Sequence, residues 1–389
     1  MGTQNTASKI SKEKNAEGNS TTERLNVLLN KKPAYDILYK EDFGSLKEEL
    51  IPFEPEKKKF CIITDSNVGP LYAKQVKEAI EDCCAKVDVF TFDAGEQNKN
   101  LDTVKEIYRF LIEQHYDRKD MLIALGGGVV GDTCGYAAAT YLRGISFIQV
   151  PTTLLAMVDS SIGGKTGVDF EQYKNMIGAF HMPKLVYMNL SVLKDLDERQ
   201  YFSGFAEVMK SALIRDGIYY EWLIENLYEI CDRELSVVKE MIYRCNLIKK
   251  NVVEKDPTEQ GERALLNLGH TLGHAIEKYK NFSMLHGECV ALGCVAAAYI
   301  SWKKEFLSME EYYEIRDMFV PFNLPISIDD IEPEKIVELT KSDKKMESGH
   351  IKFILLKKIG KAFISTDVSD EEMLAAVKEI YFSEEDERA

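Results

Sequence analysis

The sequence predicts an α/β amino-terminal domain built on a mostly parallel sheet, followed by a mainly α-helical carboxy-terminal domain. Three observations carry that prediction. Between Lys58 and about Leu196, apolar runs of strand length alternate with segments of helical period, the rhythm of a parallel sheet covered by helices. Beyond Leu196 the strand-length runs largely vanish and helical periods follow one another. The chain has 389 residues, and single cores seldom grow past ~250–300 residues, so more than one domain is expected.

Residues 1 to about 30 are polar and nearly free of aromatics, and are expected as a mobile tail. Residues 31–195 are assigned to the α/β domain and residues 196–389 to the helical one. In order, "KFCIITD" is an apolar run ending at turn residues, "KVDVFTF" alternates until Gly95, and "LDTVKEIYRFLIEQ" places Leu101, Val104, Tyr108 and Leu111 at helical spacing. "DMLIALGGG" is a buried strand running into glycines, and "ISFIQVP" and "KLVYMN" supply two more strands. The stretch "MVDSSIGGKTGVDFEQYKN" is too glycine-rich for a regular element and is expected as a loop. "GFAEVMKSALIRD", "SVVKEMIYRCNLIKKNVVEK", "LGHTLGHAIEKY" and the alanine-rich "HGECVALGCVAAAYISWKK" are successive helices. "IKFILLKKIGKAFIST" suggests a hairpin, and Ser369 with Glu372 opens a last helix in capping-box spacing.

Composition narrows the function classes. A formal charge of −15 opposes nonspecific nucleic-acid binding, which depends on neutralising phosphates. It leaves room for an anionic small molecule, since a locally basic pocket is insulated from surface charge beyond ~10 Å. No run of ~18 apolar residues and no apolar leader points to a membrane or to export, so a cytoplasmic location is expected. The eight cysteines form no C-x-x-C pair and are expected as buried, reduced core residues.

Three constellations carry chemistry. "GGGVVG", Gly126 to Gly131, matches G-x-G-x-x-G directly after a strand, where glycines admit a pyrophosphate to a helix N-terminus. No acidic residue follows at the usual spacing, although Asp65, after the first strong strand, could take a ribose hydroxyl. His270 and His274, two of only six histidines, stand one helical turn apart, with His286 a short loop later. Two imidazoles and a carboxylate with an open position commonly hold a catalytic zinc ion. Glu207, on a helix with Lys210, is a candidate carboxylate. Asp159, Lys165, Lys174 and Asn175 gather in the glycine-rich stretch, and Arg143 could add a bidentate clamp on a phosphate or carboxylate.

Together the segments from about Asp65 to Lys345 closely resemble the 3-dehydroquinate synthase family of the sugar phosphate cyclases. "AGEQNK", "GGGVVGD", "RGISFIQVPTTLLAMVDSSIGGKTGV", "KNMIGAF", "GFAEVMKSALI", "RALLNLGHTLGHAIE", "LHGE" and "SDKK" stand in the family's order. The resemblance implies a Rossmann-like NAD domain, a helical metal domain and a cleft between them. It implies metal ligation, zinc or cobalt, by Glu207, His270 and His286, with His274 as an acid–base group facing the substrate. NAD contacts would fall on Asp65, Ser66, Asn67, Glu96, Lys99, Gly127, Gly128, Val129, Asp132, Thr152, Thr153 and Lys174. Substrate contacts would fall on Arg143, Asp159, Lys165, Asn175, Lys210, Lys249, Arg263, Asn267 and Lys345, and Glu259 matches a second proton acceptor.

The implied reaction turns 3-deoxy-D-arabino-heptulosonate 7-phosphate into 3-dehydroquinate and phosphate, a step toward aromatic amino acids in the shikimate pathway. NAD would be recycled within each turnover, and a homodimer is compatible with the family. Seven basic residues (Arg143, Lys165, Lys174, Lys210, Lys249, Arg263, Lys345) suit a phosphorylated, carboxylated substrate and the cofactor pyrophosphate. A sister cyclase, such as an aminodehydroquinate synthase, would share the first chemical steps. A polyol dehydrogenase of the same architecture would have no use for the lysine-rich "GGKTGV". The chain departs from the family pattern at "GVDFEQYKN", where relatives usually read "GVNHPLGKN". It also carries Asn189-Leu190 for a usual Asp-Thr, and Asp197 for a Pro.

Overall fold

The computed structural model describes residues 23–171, 173–344 and 352–382. Its strands are β1 (Arg24–Leu29), β2 (Lys32–Lys40), β3 (Lys59–Asp65), β4 (Lys86–Phe92), β5 (Met121–Gly126), β6 (Ser146–Pro151), β7 (Lys165–Phe170), β8 (Tyr173–Phe180), β9 (Leu185–Asn189), β10 (Phe353–Lys358) and β11 (Lys361–Ser365). Among the strand-bearing residues lie α1 (Leu46–Leu50), α2 (Lys74–Ile80), α3 (Leu101–Glu113) and α4 (Gly128–Thr140). The helical half holds α5 (Glu198–Arg215), α6 (Gly217–Glu225), α7 (Leu227–Cys231), α8 (Leu235–Lys255), α9 (His270–Tyr279), α10 (His286–Lys303), α11 (Met309–Asp317), α12 (Pro333–Lys344) and α13 (Asp370–Ile380).

Seven strands form one sheet in the order β1-β2-β9-β6-β5-β3-β4. Every pairing in it is parallel except that of β1 with β2. Buried on both faces, the strands read as continuous apolar runs, and the period of two shows in how they divide. Phe60 and Ile62 of β3 face one core, while Cys61 and Ile63 face another, with Val104 and Ile107 of α3 and Cys134 of α4. The first core continues into the helical half, where Tyr39 and Met188 of the sheet join Tyr201 of α5 and Cys245 of α8. Polar ties reinforce this seam: the Leu28 amide donates to Glu254 at 2.7 Å, and the Asn246 amide donates to the Tyr39 hydroxyl at 3.2 Å. The chain leaves β3 for β4 on one side and returns to β5 on the other, so the switch point of the sheet lies between Asp65 and Gly126.

The predicted β3, β4, α3, β5, β6, β9 and the successive helices all form, as do the β10–β11 hairpin and the Ser369 capping box. Residues 24–29, expected within the tail, instead form edge strand β1. Leu25 and Val27 point into the core while Asn26 donates to Asp36 of β2 at 2.7 Å. A six-residue run with two buried positions, following a long polar segment, was too weak a pattern to reveal this strand. The glycine-rich stretch expected as a loop forms hairpin β7–β8. Its glycines serve close pairing: a Cβ on Gly178 would lie 2.5 Å from the Thr166 carbonyl oxygen, and one on Gly167 2.8 Å from that of Ile177. All eight cysteines are free, but only Cys61, Cys134, Cys245, Cys289 and Cys294 are buried; Cys83, Cys84 and Cys231 are partly exposed, so those three are not core residues. Among the described residues, no helix is long and apolar enough to cross a membrane.

α10 is apolar on every side and lies at the centre of the helical half. Its small residues set how near its neighbours come. A Cβ on Gly287 would fall 1.8 Å from the Ser203 carbonyl oxygen of α5, and one on Gly293 would fall 1.8 Å from that of Gly269, just before α9. Neither backbone can yield without separating the helices. Gly293→Ala is therefore expected to lower stability by about 1–3 kcal/mol or more, read from the urea midpoint; an unchanged midpoint would show that α9 and α10 can move apart freely.

Candidate active site

Close helix contacts bring four side chains together. Glu207, in the middle of α5, is buried, and its Oε1 lies 3.7 Å from Nε2 of His270 and 3.7 Å from Nε2 of His286. His270 and His286 are the first residues of α9 and α10, and Lys210, one turn along α5, pairs with Glu207 Oε2. His270 Nδ1 lies 3.1 Å from the Leu268 carbonyl oxygen, which holds the proton there and leaves the Nε2 lone pair facing Glu207. Burial, and then the Lys210 ammonium, hold the His270 imidazole well below its usual pKa. His274 stands at the solvent side of the group, its ring 4.9 Å from that of His270. Its ring still loses water to the groups packed around it, and this desolvation, with the neighbouring His286, lowers its pKa to about 4. For His286, burial pulls downward, but the carboxylates of Glu207 and Glu277 raise the pKa to about 9.

Glu207 Oε1, buried and facing the two imidazoles, accepts no hydrogen bond, a costly state for a carboxylate. A separation of 3.7 Å from each imidazole is too long for a hydrogen bond and close to the roughly 3.4 Å between donors around a tetrahedral zinc ion. These three groups could hold such a cation. Ring nitrogens of His270, His274 and His286 also lie within 4.8 Å of one another. The set with Glu207 fits better, because it satisfies the orphaned oxygen and leaves the exposed imidazole free.

Cations and carboxylates surround this group in pairs. Lys249 of α8 binds Asp159 through its carboxylate and, at 2.6 Å, its backbone carbonyl. Burial lowers the Lys249 pKa, and Asp159 only partly restores it. Lys165, opening β7, pairs with Glu259, which also accepts from the Asn267 amide at 2.8 Å. Buried Arg263 donates to the carbonyls of Pro257 and Gly163 at 2.6 and 3.2 Å. Lys99 donates to Asp132 at 2.7 Å and to the Asn175 side chain at 2.6 Å, and Lys174 reaches Glu277 at 2.8 Å and Glu96 at 3.2 Å.

The carboxyl ends of the strands present the remaining positions. Asp65 closes β3 and accepts from the amides of Asn67 and Val68 at 2.9 and 2.8 Å, while the Ser66 hydroxyl accepts from Ala94 at 3.0 Å. Gly127, Gly128 and Val129 open α4, which has no side-chain cap, so its first amides are free for an anion. Thr152 and Thr153 follow β6, and the buried Thr152 hydroxyl has no partner. This edge fits a dinucleotide pyrophosphate.

The matching family models are the 3-dehydroquinate synthase N-terminal region, over residues 89–203, and its C-terminal region, over residues 204–346. A 3-dehydroquinate synthase from Acetivibrio thermocellus is 42% identical over 354 residues, 91% of this chain and 98% of that protein. One from Psychrobacter cryohalolentis is 45% identical over 83% of this chain and 88% of its own length. The chain belongs to the 3-dehydroquinate synthase family. Among solved structures, a 2-epi-5-epi-valiolone synthase from Streptomyces hygroscopicus subsp. jinggangensis, with NAD+ and Zn2+ bound, matches with TM-score 0.83 and 25% identity, over 94% of this chain and all of its own. A glycerol dehydrogenase from Schizosaccharomyces pombe shares the fold at TM-score 0.63 and 15% identity, over 88% of this chain and 87% of its own.

Departures from the 3-dehydroquinate synthase pattern have local roles. Asp169 accepts from the Asn175 amide at 2.7 Å and its own amide donates to the Lys99 carbonyl at 2.8 Å, so it shapes the hairpin. Phe170 is exposed beside it. Asn189 accepts from the Ser191 amide, and Asp197 caps α5 through the Gln200 amide. Two expected positions are not gathered in. Arg143 is exposed in the turn before β6, at the end of the sheet opposite Thr152, and β6 spans ~20 Å between them. Within this chain Arg143 therefore stands apart from the lysines around Glu207. Lys345 lies outside the described residues. Sequence reasoning missed Glu277, although it follows His270 by seven residues, two helical turns, and so shares its face.

Asp256 fixes the loop that carries Glu259 and Arg263, accepting from the amides of Gln260, Gly261 and Arg263 at 2.9, 2.7 and 3.0 Å. Against burial, which raises it, these amides hold the Asp256 carboxyl below its usual pKa. Its contribution is thus complete above the unfolded value of about 3.9 and is lost as pH falls through the lower folded value. Asp256→Ala is expected to cost about 1–3 kcal/mol at neutral pH, with the gap to the parent narrowing in acid, as urea midpoints across pH will show.

Proposed function

We propose that this chain is a carbon–oxygen lyase acting on 3-deoxy-D-arabino-heptulosonate 7-phosphate, releasing phosphate and forming 3-dehydroquinate. The observation that carries the reading is the grouping of Glu207, His270 and His286 with Lys165, Lys210, Lys249 and Arg263. When bound, a divalent cation, zinc or cobalt, would supply Lewis-acid activation of a ring hydroxyl, and NAD would accept and return one hydride.

In this reading residues from the strand-bearing part, 31–195, hold NAD, and residues 196–389 hold metal and much of the substrate. Asp65, Ser66 and Asn67 meet the ribose side, while Gly127, Gly128, Val129, Thr152 and Thr153 take the pyrophosphate. Lys99 with Asp132, and Lys174 with Glu96, order the nicotinamide end. Glu207, His270 and His286 hold the cation. Lys165, Lys210, Lys249 and Arg263 stand against the phosphate and carboxylate of the substrate, with Asp159, Asn175 and Asn267 orienting its hydroxyls. Fixed cations around a dianionic leaving group need no reorganisation as its charge develops. His274, kept neutral, has a ring nitrogen free to accept a proton from carbon, and Glu259 is a second carboxylate able to take one. A polyol dehydrogenase, which shares the fold, has no dianion to meet so many ammonium groups.

His270→Ala is expected to weaken zinc binding at least ~10-fold, measured by competition with a chromophoric chelator, and unchanged affinity would reject the ligand set. With the heptulosonate phosphate, zinc and substoichiometric NAD, the purified protein is expected to release 3-dehydroquinate and phosphate over many turnovers. Stoichiometric accumulation of NADH, or a product of different mass, would overturn the assignment.

A further inference from the structure

Glu277 of α9 has no part in the roles above, yet it is only 3% exposed and sits between two of them. Its Oε1 accepts from Lys174 Nζ at 2.8 Å, and its Oε2 lies 3.8 Å from His286 Nδ1, the ring nitrogen that faces away from Glu207. The second separation is an ion-pair distance. Lys174 belongs to β8, also contacts Glu96 at 3.2 Å, and lies 4.8 Å from the centre of the Phe282 ring. One buried carboxylate therefore joins an imidazole of the metal group to a lysine of the cofactor edge. Burial of a carboxylate is costly without compensating charge; here Lys174 hydrogen-bonds one oxygen and His286 stands at ion-pair distance from the other.

We propose that Glu277 is a positioning residue: its carboxylate keeps the proton of His286 on Nδ1 and turns Nε2 toward the cation, while its other oxygen anchors Lys174 and the β7–β8 hairpin to the same helix. The inference rests on His286 being a metal ligand. A carboxylate behind a ligating histidine fixes its tautomer and orientation and makes it more basic.

The test uses the full chain, with zinc affinity measured by chelator competition and ligand geometry read from the visible bands of the Co2+-loaded protein. Glu277→Gln keeps size and hydrogen bonding but removes charge, and is expected to weaken zinc binding ~10–100-fold and shift the Co2+ bands. Combined with His286→Ala it is expected to add nothing to the loss from His286→Ala alone, because it acts through that ring. Zinc affinity within about twofold of the parent, or a fully additive loss in the double variant, overturns the proposal. Should Glu277→Gln not fold, Glu277→Asp withdraws the carboxylate by one methylene and is read in the same way. If His286→Ala binds zinc as the parent does, the ligand reading fails; if it loses zinc and Glu277→Gln does not, only the positioning role fails.

Discussion

A carboxylate sealed inside a protein needs positive charge on every side that water has left, and the interior of the helical half is arranged around that need at Glu207. Lys210 covers one oxygen, and two imidazoles from the starts of separate helices face the other. An uncompensated buried charge costs several kcal/mol, whereas an exposed pair such as Lys74 with Glu78 contributes about 0–1 kcal/mol. The interior cluster therefore governs how the helices assemble. It can form only because α10 carries glycine where it meets Ser203 and Gly269, so three helices converge without side chains between their backbones.

The sheet extends the same logic to the cofactor edge. Its strands are buried on both faces and end together at one rim. There the free amides of α4, the Asp65 turn and the two threonines after β6 lie side by side. Polar atoms left without a hydrogen-bond partner, Thr152 Oγ1 on the rim and Glu207 Oε1 in the interior, mark where the fold holds unspent hydrogen-bonding and charge-pairing capacity. Such groups are tolerated where a ligand completes them.

Much of this was legible before the structure. Strand-length apolar runs such as "DMLIALG" and the helical spacing in "LDTVKEIYRFLIEQ" depend on neighbours along the chain, so their period survives in one dimension. The pair His270 and His274, the nearby His286 and the glycines beside them carried the centre of the site. What stayed hidden depends on contacts distant in sequence. β1 is defined by what Leu25 and Val27 pack against, and the glycines of β7 and β8 looked like breakers until their partners across the hairpin were known. Arg143 sits within a family motif, yet the run of β6 carries it to the far end of the sheet. Glu277 shared a helix face with His270, but its importance appears only with Lys174, which stands 103 positions away.

The paired arrangement of charges has a consequence for selectivity. Lys165, Lys249, Lys99 and Lys174 each stand matched to an acid, so the fold avoids crowding like charges together. An incoming phosphate must then compete with carboxylates for its ammonium partners, and part of the attraction is spent in the exchange. Anions that offer charge without the right outline gain little from such a trade, so discrimination comes from shape and spacing more than from electrostatic pull.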